Sequence, residues 1–270
     1  MQRCGDFTEF SQRLSLSAPP RDMIPRFGEV IVKDAKFRTF IADAAARREF
    51  YKHVYDVTYG LVRPGRDTLV VLDDSIVRGN TMKNAILPML DRLGPKRIVI
   101  ASSAPPIRYP DCYGIDMSTL GELVAFRALV NLLDGEQGLR DALYESRQLH
   151  DSTCSTRTES YNPLASLYAR FTDEQHCAEI ARLLTPPGMK AEVKVVYQTV
   201  ENLRKCLTSD SGDQTSECRL PSSNSKLETR NPEPAIGDWY FTGEYPTPGG
   251  YKVLHKAIEN YLQRKNERSY

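Results

Sequence analysis

The sequence predicts an α/β protein: a parallel sheet flanked by helices and followed by a C-terminal helical extension. Three observations predict it. Thr68 to Leu72 is a short, largely apolar run of the kind buried in a parallel sheet. Met82, Ile86, Leu90 and Leu93 then recur on one face of a helix, and Gly94-Pro95 stops it. Arg97 to Ser102 is a second apolar run. Strand, loop, helix, stop and strand make a βαβ unit.

Along the chain, residues 1–28 form a mixed lead-in broken by Ala18-Pro19-Pro20 and Pro25. Val30, Ile31 and Val32 are contiguous β-branched residues and read as a strand, whereas Ala42 to Tyr59 has helical content. Pro88 falls inside the Met82–Leu93 pattern and should kink that helix, because its ring displaces a backbone hydrogen bond. Ala104 to Asp116 is a Pro-rich loop, and Leu120–Leu133 a helix. Thr172-Asp173-Glu174-Gln175 is a capping box that opens a helix to Leu184, and Val193, Val195 and Tyr197 alternate as a strand does. Residues 208–235 are polar and read as a disordered insertion; a last helix covers Lys252–Arg264. The resulting division is 1–28, a partial α/β domain at 29–135, a mostly helical extension at 136–207, the insertion, and a C-terminal segment with its helix at 236–270.

Charge is balanced, with 36 Lys+Arg against 35 Asp+Glu, so no global field favours a nucleic-acid or membrane partner. No stretch approaches the apolar length of a membrane helix, and the start lacks a signal-like core. The six cysteines, Cys4, Cys112, Cys154, Cys177, Cys206 and Cys218, are scattered without a C-x-x-C pair, which suits reduced thiols in the cytoplasm.

Chemistry concentrates where the first apolar run ends, in Asp73-Asp74-Ser75-Ile76-Val77-Arg78-Gly79-Asn80-Thr81. Open α/β sheets hold ligands beyond the carboxyl ends of their strands. Backbone N–H groups of Ser75–Thr81, entering a helix, suit a phosphate dianion; Ser75, Asn80 and Thr81 add side-chain donors, and Gly79 permits close approach. Asp73 and Asp74 can hydrogen-bond a sugar diol and help hold Mg²⁺. Acidic residues before a helix can also serve merely as caps at the positive end of its dipole.

The whole stretch resembles the substrate loop of the amidophosphoribosyltransferases (glutamine phosphoribosylpyrophosphate amidotransferases), Asp-Asp-Ser-Ile-Val-Arg-Gly-Thr-Thr, and departs from it only at Asn80. Arg38-Thr39-Phe40-Ile41 looks like the family's flexible catalytic loop. Ala104-Pro105-Pro106-Ile107-Arg108-Tyr109-Pro110, leading to Tyr113-Gly114-Ile115-Asp116-Met117, and Phe241-Thr242-Gly243-Glu244-Tyr245-Pro246 look like two further segments in family order. The resemblance is dense from about Val30 to Leu133 and resumes from Gly237.

The resemblance implies a type I phosphoribosyltransferase-like sheet and the first step of de novo purine synthesis, in which ammonia displaces pyrophosphate from phosphoribosyl pyrophosphate. It implies that Asp73 and Asp74 hold the ribose hydroxyls and Mg²⁺, that Ser75, Ile76, Val77, Arg78, Gly79, Asn80 and Thr81 grip the 5′-phosphate, and that Arg38 with Lys36 closes over the pyrophosphate. Asn80 retains an amide donor, so weaker rather than abolished binding is expected there. Ammonia is expected from a glutaminase domain or subunit, and a homo-oligomer is compatible.

Several family features are not found in the text. Cys4-Gly5 echoes a glutaminase start but is followed by Asp6 and reads as incidental, so the glutaminase domain is taken as absent. Nothing in residues 1–35 resembles the family's pyrophosphate loop; the expectation is a fragment, or a chain that needs an upstream partner to cover exposed sheet. Positions that hold iron–sulfur ligands in some members are Gly237, Tyr240 and Asp111 here, with Cys112 one residue displaced, so no cluster is expected. The alternative reading is a non-catalytic binding or regulatory module of the same fold. A purine-base phosphoribosyltransferase is less close, because its loop ends in a Thr-Gly-Gly-Thr-like turn.

Overall fold

Three runs of alternating or contiguous apolar residues build the sheet, as their β-branched content favours. In the computed structural model, which describes residues 30–33, 55–113, 117, 119–153, 160–209 and 237–264, these are β3 (Thr68–Asp73), β4 (Arg97–Ser102) and β5 (Glu192–Tyr197). They pair in parallel in that order, with Leu69, Ile98 and Val193 side by side and Asp73, Ser102 and Tyr197 ending the rows. A parallel sheet flanked by helices is therefore the fold, as expected, and its third strand comes from beyond residue 135.

Helices cover one face. Ile98, Ile100 and Val195 are buried there against Leu87, Leu90, Ala125, Ala128, Ile180, Ala181 and Leu184. On the opposite face Val70, Leu72 and Val196 are 63%, 64% and 53% exposed. The Thr68–Leu72 run is thus not the buried strand expected of it. It lies at the sheet edge, and no described element covers its outer face.

Two short strands precede the sheet. β1 (Ile31–Lys33) pairs antiparallel with β2 (Tyr55–Val57), Val32 opposite Asp56. The end of the expected Ala42–Tyr59 helix is therefore a strand, because the β-branched run at Val30–Val32 offers it a hydrogen-bonding edge; residues 42–54 lie outside the described residues. Residues 1–28 and 210–235 lie outside them too.

Pro88, expected to kink its helix, follows an irregular turn of it. The helix starts at Asn80 and widens into a π-helical turn, Met82–Ile86, with Leu87 N–H donating to Met82 O, five residues back. α1 (Leu87–Asp91) continues it without a break, Ile86 being helical itself, so Pro88 lies inside the helix and the wide turn before it accommodates the missing N–H.

After β4 a single 3₁₀ turn, Leu120–Glu122, leads into α2 (Val124–Leu132). Its Val124, Ala125 and Ala128 enter the sheet core, while Phe126, Leu129 and Val130 enter a second core. With both sides buried, α2 is apolar almost all round, as such helices are. The second core is completed by α3 (Glu136–Thr153), α4 (Pro163–Tyr168) and the C-terminal elements. α5 (Asp173–Leu184) starts at the expected capping box, with both reciprocal bonds between Thr172 and Gln175 formed. α6 (Val200–Ser209) follows β5.

The C-terminal part has a short α7 (Trp239–Thr242) and then α8 (Pro248–Leu262). The last helix starts earlier than Lys252 because Thr247 caps it and Pro248 suits its first turn. Gly250 is tolerated inside it for packing: a Cβ there would meet the Tyr245 ring at 2.7 Å.

Candidate functional site

Asp73 closes β3, so the Asp-Asp-Ser segment leaves the sheet at the carboxyl ends of its strands. The exit of β4 fixes it there. Ser103 N–H donates to Asp73 O at 2.9 Å and Ala104 N–H to Asp74 O at 3.0 Å. Each carboxylate then turns back on its successor: Asp73 Oδ1 accepts from Asp74 N–H at 3.1 Å, and Asp74 Oδ1 from Ser75 N–H at 2.6 Å. Neither caps the helix that follows, whose N-cap takes no side-chain bond. Burial, and then the adjacent Asp74 charge, raise the Asp73 carboxyl above its ordinary range.

The turn from Ser75 to Thr81 is anchored by its apolar members. Ile76 is 3% exposed in the sheet core, and Val77 packs against the second core. Its carbonyls are drawn toward α2: Val77 O accepts from Val124 N–H at 2.9 Å, and Arg78 O from Arg127 Nη2 at 3.0 Å. In a planar trans peptide the N–H points opposite to the C=O. The N–H groups of Arg78 and Gly79 are therefore aimed away from α2. None of the backbone N–H groups from Ile76 to Thr81 finds an acceptor among the described residues. A row of unmet donors at the start of a helix is chemistry suited to an anion.

The side chains sort themselves differently from their backbones. Arg78 sets Nε and Nη2 on Glu122 Oε2 at 2.7 and 2.6 Å, so its charge is matched from the 3₁₀ turn. Asn80 and Thr81 are exposed and Ser75 half-buried. Gly79 is left-handed at φ 75°, and a Cβ on it would stand 2.1 Å from Leu184 Cδ2. α5 thus ends directly against the turn, and Lys83 Nζ donates to Leu183 O there at 2.9 Å, where a cation suits the helix dipole. Lys36 and Arg38 lie outside the described residues, in the connection between β1 and β2.

Sequence reasoning missed the supports supplied from the α2 side. Arg127 had a signal: it is the one charged residue in Val124–Leu132. Glu122 had none.

The two segments that looked family-like meet in space. Tyr240 O accepts from both Arg108 N–H and Tyr109 N–H, at 2.8 and 3.1 Å, and Tyr245 OH donates to Pro110 O at 2.8 Å. Asp111 is buried and bonded to Tyr240 and to Tyr113 N–H. Among the described residues no three His, Cys, Asp or Glu side chains are grouped to hold a metal ion.

Known proteins show the same relationship from outside. No protein-family model matches the chain. It is 52% identical over 58 residues to the amidophosphoribosyltransferase of Pasteurella multocida, covering 22% of this chain and 11% of that protein. It is 40% identical over 101 residues to the Pseudomonas aeruginosa enzyme, 37% of this chain and 20% of that one, and 42% identical over 76 residues to the Pyrococcus horikoshii enzyme, 28% and 17%. The match thus spans a fifth or less of these relatives. A solved glutamine phosphoribosylpyrophosphate amidotransferase from Bacillus subtilis, complexed with ADP and GMP, aligns over 68% of this chain and 29% of its own at 25% identity and TM-score 0.37. Over these matched stretches the chain is similar to the amidophosphoribosyltransferases.

Proposed function

We propose that the turn binds the 5′-phosphate of phosphoribosyl pyrophosphate and that the chain provides the phosphoribosyl-transfer part of an amidophosphoribosyltransferase. The observation that carries the reading is the row of unmet N–H donors from Ile76 to Thr81, set directly after two adjacent carboxylates at a strand end. Phosphate takes the amides, and the ribose diol takes the carboxylate oxygens that Asp74 N–H and Ser75 N–H leave over.

The same oxygens fit Mg²⁺, since two neighbouring carboxylates, one raised by burial and by the other's charge, are a hard-oxygen donor pair short of a cation. Bound there, the ion would neutralise charge on the departing pyrophosphate. The nitrogen of ammonia forms a bond to ribose C1 while the C1–oxygen bond breaks, pyrophosphate leaving with the electron pair and a proton passing to solvent. Such a step needs positioning and charge balance more than a strong base. Lys36 and Arg38 are the residues assigned to the pyrophosphate. Ammonia comes from a glutaminase domain or subunit, and the setting is the cytoplasm. No described helix is long and apolar enough to cross a membrane.

The test is phosphoribosylamine formation from ammonia and Mg²⁺-phosphoribosyl pyrophosphate, with the Asp73→Asn/Asp74→Asn double variant alongside. Loss of product in the double variant is expected; undiminished product would overturn the assignment. Binding of the sugar phosphate without turnover would instead favour a non-catalytic module of the same fold.

A further inference from the structure

The cation behind the turn has no ion-pair partner among the described residues. Arg127 projects from α2 with Nη2 on Arg78 O at 3.0 Å, while its Nε is buried and meets no acceptor. Among the described residues it forms no ion pair, and burial alone is what lowers its affinity for a proton. A partly buried guanidinium left in this condition is costly, and it sits in a helix whose other residues are apolar apart from Asn131. An apolar residue would serve the two cores that α2 joins at least as well.

We propose that Arg127 is a positioning residue for the anion: it holds the Arg78 peptide with its N–H partner, Gly79, turned outward, and it supplies an uncompensated positive charge at the back of the turn. The inference rests on the turn being a phosphate site. Glu122 plays the complementary part. By matching Arg78, it leaves Arg127 as a cation without an ion-pair partner among the described residues, so the anion is recognised by fixed amides backed by a fixed charge and not by a mobile surface arginine.

The test compares unaltered chain, Arg127→Met and Arg127→Lys for binding of ribose 5-phosphate and of inorganic phosphate, with thermal unfolding of each. A lost charge-assisted bond predicts that Arg127→Met weakens both ligands by about tenfold or more. Its unfolding midpoint should hold or rise, because methionine suits an apolar helix. Arg127→Lys, which keeps the charge and can reach the Arg78 carbonyl, should recover most of the affinity. Equal binding by the unaltered chain and Arg127→Met would overturn the inference and leave the proposed function standing. If Arg127→Met unfolds, Arg127→Lys decides alone: affinity no better than that of a charge-neutral Arg127→Gln variant overturns the inference. Failure of the unaltered chain to bind either ligand overturns the phosphate site, and this inference with it.

Discussion

At Gly79 two independent constraints fall on one residue. Its φ of 75° lies in the left-handed region, and the space where a Cβ would go is held by Leu184. The first constraint costs about 1–3 kcal/mol in a non-glycine residue, and the second forces Leu184 to move or the turn to lift. Gly79→Ala is therefore expected to destabilise the chain by at least about 1 kcal/mol in chemical unfolding and to weaken ribose 5-phosphate binding. Unchanged values for both would show that the turn adjusts freely. The glycine was legible in the sequence because the motif requires close backbone approach. Its second reason was not, since Leu184 is more than a hundred positions away and only the docking of α5 brings it there.

The elements were legible in proportion to how local their causes are. The capping box at Thr172 is a four-residue signal, and the structure forms it completely, with Gln175 N–H to Thr172 Oγ1 at 3.3 Å and Thr172 N–H to Gln175 Oε1 at 2.8 Å. Thr172→Ala should cost about 1 kcal/mol. That corresponds to roughly 2–4 °C in the unfolding midpoint of a chain this size, and calorimetry showing no shift would reduce the box to ornament. By contrast, Tyr55–Val57 took its conformation from a partner strand some two dozen residues away, which helical periodicity cannot reveal. The early start of α8 lay between: Thr247-Pro248 is a local signal, but Gly249-Gly250 masks it until the Tyr245 ring explains why a side chain is excluded.

Across the whole molecule, two cores share α2 as a common wall, and histidines sit inside the packing around them. His176 is buried against Tyr168 O and His255 half-buried against Tyr161 O, and burial lowers both from the usual histidine range. For a histidine whose folded-state affinity is depressed, the unfolded chain binds more protons between the two values. Stability is therefore full above about pH 6.5 and declines as pH falls through the lowered folded values. The midpoint of thermal unfolding should drop between pH 7 and pH 5, and less so in a His176→Gln/His255→Gln variant. An equal drop in both proteins would assign the acid sensitivity elsewhere. What no reading of the sequence could supply at this scale was the joining of the cores, because burial on two sides of α2 depends on where α5 and α8 dock.

That shared wall has a consequence for the turn. Phe126, on the far side of α2, meets the Tyr261 ring of α8 edge-on at 4.9 Å, while Val124 and Arg127 grip the turn's carbonyls on the near side. The amides are thus oriented by packing that exists before any ligand arrives. Little conformational entropy remains to be lost on binding, so the free and anion-bound turns should have nearly the same shape and comparable rigidity.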